Sequence, residues 1–177
     1  LLEARAAASA LYQVRASERE LRADLEPHAS VLRVVAVLGP RSVWVGGEPE
    51  VAAAQAEKWS SRGIVCRRVV EPTGLPLQVQ AQVGTELACC FEGVEFRAPQ
   101  LPFVLPTGEA EWSMVPTVAQ WVAALEGTQD LEGVVRRLDA AGARAYMEIG
   151  AGALWSPLIP GILTGPPPLC LPSLRGR

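Results

Sequence analysis

Two apolar, β-branched runs constrain this chain most. Residues 31 to 38 are rich in valine and leucine, residues 42 to 45 carry Val43 and Val45 about Trp44, and Gly39-Pro40-Arg41-Ser42 forms a turn between them. β-Branched side chains pack well on a pleated surface and crowd a helix, so both runs read as strands, the first of them buried. Upstream, residues 9 to 15 alternate apolar and polar and read as a further strand. Ser17 then begins Ser-Glu-Arg-Glu, an N-cap with a glutamate three residues on, and starts a short helix that runs through Leu25 and stops before Pro27. Gly46-Gly47 ends the strand at 42 to 45. Residues 48 to 62 carry Val51, Gln55 and Lys58-Trp59 at helical spacing, and Gly63 supplies the stop. Residues 64 to 70 read as another strand. The order β-α-β-β-α-β is that of a ferredoxin-like split βαβ unit.

Beyond Pro72 the pattern changes. Thr73-Gly74-Leu75-Pro76 is loop chemistry, and residues 78 to 91 read as a helix. Residues 94 to 97 and 101 to 105 predict two short strands, broken by Pro99 and Pro102. Residues 115 to 125, carrying Trp121, and 130 to 141, stopped by Gly142, predict helices. A strand over 143 to 149 follows, and then a weaker helix over 153 to 163, interrupted by Pro157 and Pro160. Gly165-Pro166-Pro167-Pro168 predicts an extended linker, because prolines favour polyproline geometry. Helices alternate with strands in this half, as in a layered α/β domain. The strands are too few for a complete sheet, and the segments at 94 to 96, 103 to 105 and 146 to 149 would leave apolar edges exposed. The expectation is that the rest of the sheet lies upstream of this chain.

Composition narrows the function classes. The 177 residues are 49% apolar, which argues against disorder and suits one domain, with or without a small subdomain. Sixteen basic and nineteen acidic residues give a net charge of -3 with no basic stripe, so nucleic acid is not an expected partner. No apolar run reaches the roughly 18 residues of a membrane span, and no signal peptide is apparent; the expected compartment is cytoplasmic. Cys66, Cys89, Cys90 and Cys170 make no zinc spacing and read as small apolar residues in a reducing compartment. His28, the one histidine, reads as a surface-loop residue rather than a base, since no nucleophile stands beside it. Trp44, Trp112 and Trp155 read as packing or as interface anchors.

Several stretches together carry a family resemblance. The segment Val37-Leu38-Gly39-Pro40-Arg41-Ser42-Val43-Trp44-Val45-Gly46-Gly47 resembles the A-V-N-G-P-R-S-V-V-V-S-G stretch of acyltransferase domains in type I modular polyketide synthases. Val14-Arg15-Ala16-Ser17-Glu18 resembles what precedes it. Phe96-Arg97-Ala98-Pro99, Thr107-Gly108 and Gln120-Trp121-Val122 follow in the family's order and at similar spacing. Tyr146-Met147-Glu148-Ile149-Gly150 is similar to the F-L-E-V-G-P strand near the family's C-terminal end. Leu169-Cys170-Leu171-Pro172-Ser173-Leu174-Arg175 is similar to the linker after such a domain. The set is collinear and spans nearly the whole chain.

This resemblance implies an α/β (α+β) fold: a ferredoxin-like βαββαβ subdomain followed by the C-terminal part of an α/β-hydrolase-like acyltransferase subdomain. The organisation it implies is an initial segment over 1–8, the ferredoxin-like small subdomain over 9–71, the large-subdomain part over 72–164 and a Pro-rich post-acyltransferase linker over 165–177. The family moves malonyl-type acyl groups from coenzyme A to an acyl carrier protein through a serine in a G-H-S-x-G elbow, with a histidine as base. This chain departs from that chemistry. It contains no G-x-S-x-G, and the family's elbow should lie upstream of Leu1. Counted back from Phe96 without a gap, the base motif falls on Thr73-Gly74-Leu75-Pro76, so the base position is Pro76, which cannot move a proton. Leu38 replaces the asparagine of N-G-P, and Leu105-Pro106 stand where the family has an asparagine before Thr107-Gly108. Gly150-Ala151-Gly152-Ala153 replaces G-P-H-P. Arg5 matches the substrate-clamping arginine or is a plain surface charge.

Losing base and orienting groups together costs several powers of ten in rate. The expected function is therefore a non-catalytic, pseudo-enzyme acyltransferase-like region of a megasynthase, serving as a scaffold or docking element, with no catalytic, cofactor-binding or metal-binding residue and no cofactor. Two alternatives stand beside it. One is a fragment of an active transferase with His28 as its base. The other is a docking platform for a trans-acting acyltransferase, or a binding module. The partners implied are the neighbouring ketosynthase, its linker and the acyl carrier protein, with homodimerisation through the parent synthase left open.

Overall fold

The computed structural model describes residues 9–69, 77–107, 115–150 and 153–174. The chain is an α/β fold with a mixed five-stranded sheet, a separate two-stranded sheet and helices packed on them. The first half runs β1 (Ala10–Val14), α1 (Glu18–Leu25), β2 (Leu32–Gly39), β3 (Ser42–Gly47), α2 (Pro49–Ser61) and β4 (Cys66–Arg68). This is the element order the sequence predicts.

Local chemistry explains each boundary. The Ser17 backbone N–H donates to Glu20 Oε2 at 2.7 Å and the Glu20 N–H donates back to Ser17 Oγ at 3.3 Å, a closed capping box at the start of α1. The α2 helix opens with a proline in its first turn, where a missing N–H costs nothing, and ends before Gly63 at φ +81°. Gly47 closes β3 because nothing larger fits: a Cβ there would run into the Val31 carbonyl oxygen and lie 2.8 Å from Leu32 Cα.

β1 pairs antiparallel with β3 and β4, and β2 pairs antiparallel with β3, giving the order β4-β1-β3-β2. The register of β2 shifts at Val34/Ala36 and at Val37/Gly39. One face of this sheet buries Ala10, Val14, Leu32, Val34, Val43 and Val45 against Leu21 and Leu25 of α1 and Ala52 and Trp59 of α2. Trp59 Nε1 donates to Asp24 Oδ2 at 2.9 Å, and Arg62 and Lys58 of α2 pair with the same carboxylate, so the two helices are joined over the core. Asp24 is held below its usual range, mainly by the Trp59 hydrogen bond, against a partial opposing effect of burial and with help from Arg62 and Lys58.

The second half holds α3 (Leu77–Cys90), α4 (Val118–Glu126), β5 (Gln129–Asp130), α5 (Leu131–Ala140), β6 (Ala145–Glu148) and β7 (Leu169–Pro172). β5 adds in parallel to the free edge of β2, with Ala36 opposite Gln129, and so joins the halves through one sheet. Arg33 Nη2 donates to the Glu126 carbonyl at 2.6 Å and Thr128 Oγ1 to the Val34 carbonyl at 2.9 Å beside that joint.

Five expectations are corrected here. Residues 94–97 and 101–105 join no sheet: prolines at 99 and 102 remove ladder donors, and the segment lies along the α3–α4 pair, with Phe91 on Phe96 and Phe103 on Trp121 at 5.3 and 5.9 Å between ring centroids. The helix expected from residue 115 starts at Val118, after Pro116, where Thr117 and Gln120 close a second capping box. Residues 153–163 form turns and one 3-10 turn (Ile159–Gly161), because Pro157 and Pro160 break any longer ladder. Residues 169–172, given no secondary structure by the sequence, form β7, which pairs in parallel with β6 from Ala145↔Leu169 to Glu148↔Pro172. Cys89 and Cys90 are both exposed on the last turn of α3, not packed as small apolar residues, while Cys66 and Cys170 are half-buried, and all four are free thiols.

Candidate functional site

A groove of about 640 Å³ lies where the two halves meet in front of α5 and β6. Its walls come from Leu38 of β2, Leu131 and Val135 of α5, Tyr146 and Glu148 of β6, and Trp155 of the loop after it. α5 presents this face because Asp130 caps it, accepting from the Gly133 N–H at 2.8 Å, and because Gly142 at φ +95° ends it. Val135, Ile159 and Ile162 form a second small core there, with Leu131, Tyr146, Leu163 and Cys170 against it.

Three polar side chains other than Trp155 line the groove, and two are committed. Gln129 Nε2 donates to the Ala124 carbonyl at 2.7 Å. Glu148 accepts from the backbone N–H groups of Leu154 at 2.9 Å, Trp155 at 3.1 Å and Ser156 at 2.8 Å. Partial desolvation pushes this carboxyl up, but the hydrogen bonds from Ser156, Trp155 and Leu154 together outweigh it and hold it at about 2. A carboxylate of that acidity is a poor proton acceptor near neutrality. The third, the Tyr146 hydroxyl, is buried with no hydrogen-bond partner, and burial above all, then Asp139, pushes it up. The walls can bind apolar surface, and the described lining residues include no Ser, Cys or His.

The residues singled out in the sequence distribute as follows. Leu38, in place of the family's asparagine, is 2% exposed and lines the groove. His28 ends the 3-10 turn after α1 (Glu26–His28), half-buried, and is not among the lining residues. Gly150 is exposed just past β6. Arg5, residues 73–76 with the base position Pro76, Gly108, Trp112, Ala151 and Gly152 lie outside the described residues. Trp44 and Trp155 meet across the seam with ring centroids 5.9 Å apart, a contact the sequence does not reveal. The Glu148 clamp is likewise new, although its residue sits within the family-like Tyr146–Gly150 stretch. Among the described residues, no group of three His, Cys, Asp or Glu side chains comes together as a metal site, and no helix is long and apolar enough to cross a membrane.

No protein-family model matches the chain. It is 29% identical over 184 residues to the polyketide synthase GfsB of Streptomyces halstedii, covering 99% of this chain and 3% of that protein. Among solved structures, the acyltransferase domain from the second module of the salinomycin polyketide synthase superposes with a TM-score of 0.83 at 25% identity. That match covers 95% of this chain and 40% of the other. The acyltransferase domain from module 8 of the same synthase gives 0.83 at 22% identity over 98% of this chain and 43% of its own, a likeness of fold alone. The chain thus spans less than half the length of these two solved structures.

Proposed function

From sequence and structural homology to acyltransferase domains of modular polyketide synthases, we propose that this chain is a non-catalytic acyltransferase-like region of such a synthase. It serves as a scaffold or docking element between neighbouring domains. In this reading residues 9–71 are a ferredoxin-like small subdomain, 72–164 the C-terminal part of an α/β-hydrolase-like large subdomain, and 165–177 a post-acyltransferase linker. The partners are a ketosynthase, its linker and an acyl carrier protein, in the cytoplasm. The observation that supports the reading is that a proline stands where the resemblance puts the family's histidine base. The chain's one histidine is His28, on the helical turn that leads into β2, while Pro76 occupies the base position of the resemblance. A general base must reach the nucleophile's proton, directly or through one water.

The exposed apolar side chains on β6 and β7 support the docking half of the proposal. Met147 is 65% and Leu169 57% exposed on a parallel sheet, a type of sheet that is ordinarily covered on both faces. Neighbouring synthase polypeptide is the cover this reading supplies.

Malonyl transfer from coenzyme A to an acyl carrier protein tests the proposal, assayed with the chain joined to the polypeptide that precedes it. No transfer is expected, from this form or from His28→Ala. Transfer that disappears in His28→Ala would instead establish the alternative of an active fragment.

A further inference from the structure

We infer that Glu148 is a positioning residue: its carboxylate fixes the Leu154–Ser156 turn so that Trp155 latches onto Trp44 and holds the two halves of the molecule in one relation. The seam between the halves is secured at one end by the β2–β5 ladder and the Arg33 and Thr128 hydrogen bonds. Its other end has no ladder. There the crossover from β6 to β7 passes over the β2–β3 turn, and a Cβ built on Gly39 would lie 3.5 Å from Ile162 Cγ1. The described residues of this crossover form turns and a single 3-10 turn, with no α-helix among them to hold its own backbone. What organises its start is one carboxylate accepting from three successive N–H groups. Charged acceptors make such bonds stronger than neutral ones, and this one carboxylate satisfies three successive N–H groups of the turn.

The geometry gives a direction of dependence. Glu148 touches the turn, the turn carries Trp155, and Trp155 meets Trp44 at a 43° interplanar angle. Trp44 belongs to β3, in the middle of the five-stranded sheet, so the latch ties the crossover to the most firmly built element of the first half. The latch does not depend on whether the chain transfers acyl groups.

Hydrogen exchange at the Leu154, Trp155 and Ser156 amides, with the exciton signal of the coupled indoles in circular dichroism, tests this in the full chain. Glu148→Ala should speed exchange of the three amides by at least about tenfold and remove the exciton signal, while β1 to β3 stay protected. Trp44→Phe should remove the signal but leave the amides protected. Glu148→Gln, which keeps one uncharged acceptor, should fall between, and it stands in for Glu148→Ala if that variant does not fold. Retention of amide protection and signal in the Glu148 variants would overturn the inference. So would loss of amide protection in Trp44→Phe, which would mean that the indoles hold the turn.

Discussion

Residues 10–68 and residues 77–172 use the same kinds of element but close their cores unequally. The first half lays two helices over one face of a four-stranded antiparallel sheet, and its large side chains Trp59, Leu21 and Leu32 are fully buried. The second half lays one helix near a two-stranded parallel sheet. Of the eleven exposed large hydrophobic side chains among the described residues, only Val65 lies in the first half. The number of strands separates the halves. Two parallel strands cannot cover two apolar faces, whereas four antiparallel strands need cover on only one. Among the described residues, the half with fewer strands leaves more large apolar side chains exposed.

The comparison can be broken most sharply at Trp59. Trp59→Ala should cost about 3–5 kcal/mol of stability in denaturant unfolding, because it empties the centre of the first core. Gly47→Ala should come next, at about 1–3 kcal/mol, since the added methyl meets backbone that cannot move aside. Asp24→Ala should cost about 1–2 kcal/mol, mostly by stranding the Trp59 indole N–H over the core. For the second half, acid sharpens the contrast. Glu148 has an ordinary value of 4.5 and is held at about 2 in the fold, so its contribution is complete above 4.5 and is lost as the pH falls toward 2. The Trp44–Trp155 signal should fade across that window in the wild-type chain. At the bottom of the scale, Met147→Ser should leave the stability of this chain within about 0.5 kcal/mol, because the side chain is already in water. A cost above 2 kcal/mol there would mean that the second half buries more than its open sheet implies.

The sequence exposes the first half almost completely. Its strands are largely apolar runs and its helices carry a capping box and a glycine stop, so each element is marked locally even though β1 pairs with β4 more than fifty residues away. The second half hides for physical reasons. β7 follows three prolines and reads as a linker, yet it pairs with β6 more than twenty residues upstream. Residues 101–105 have a strand's composition but no strand beside them, and composition does not report neighbours. The weak helix expected over 153–163 fails because Pro157 and Pro160 break it. At the site, Leu38 and the Tyr146–Gly150 stretch could be found from family likeness. The Trp44–Trp155 contact joins residues far apart in sequence, and nothing local in the chain signals it.

The central claim is that this chain keeps an acyltransferase-like framework without its chemistry. Intact-protein mass tests it most directly, measured on the chain joined to its preceding polypeptide after incubation with malonyl coenzyme A. The account predicts an unmodified mass from a protein that melts cooperatively. A stable malonyl adduct would contradict it, and a base other than the residue at position 76 would then have to be found.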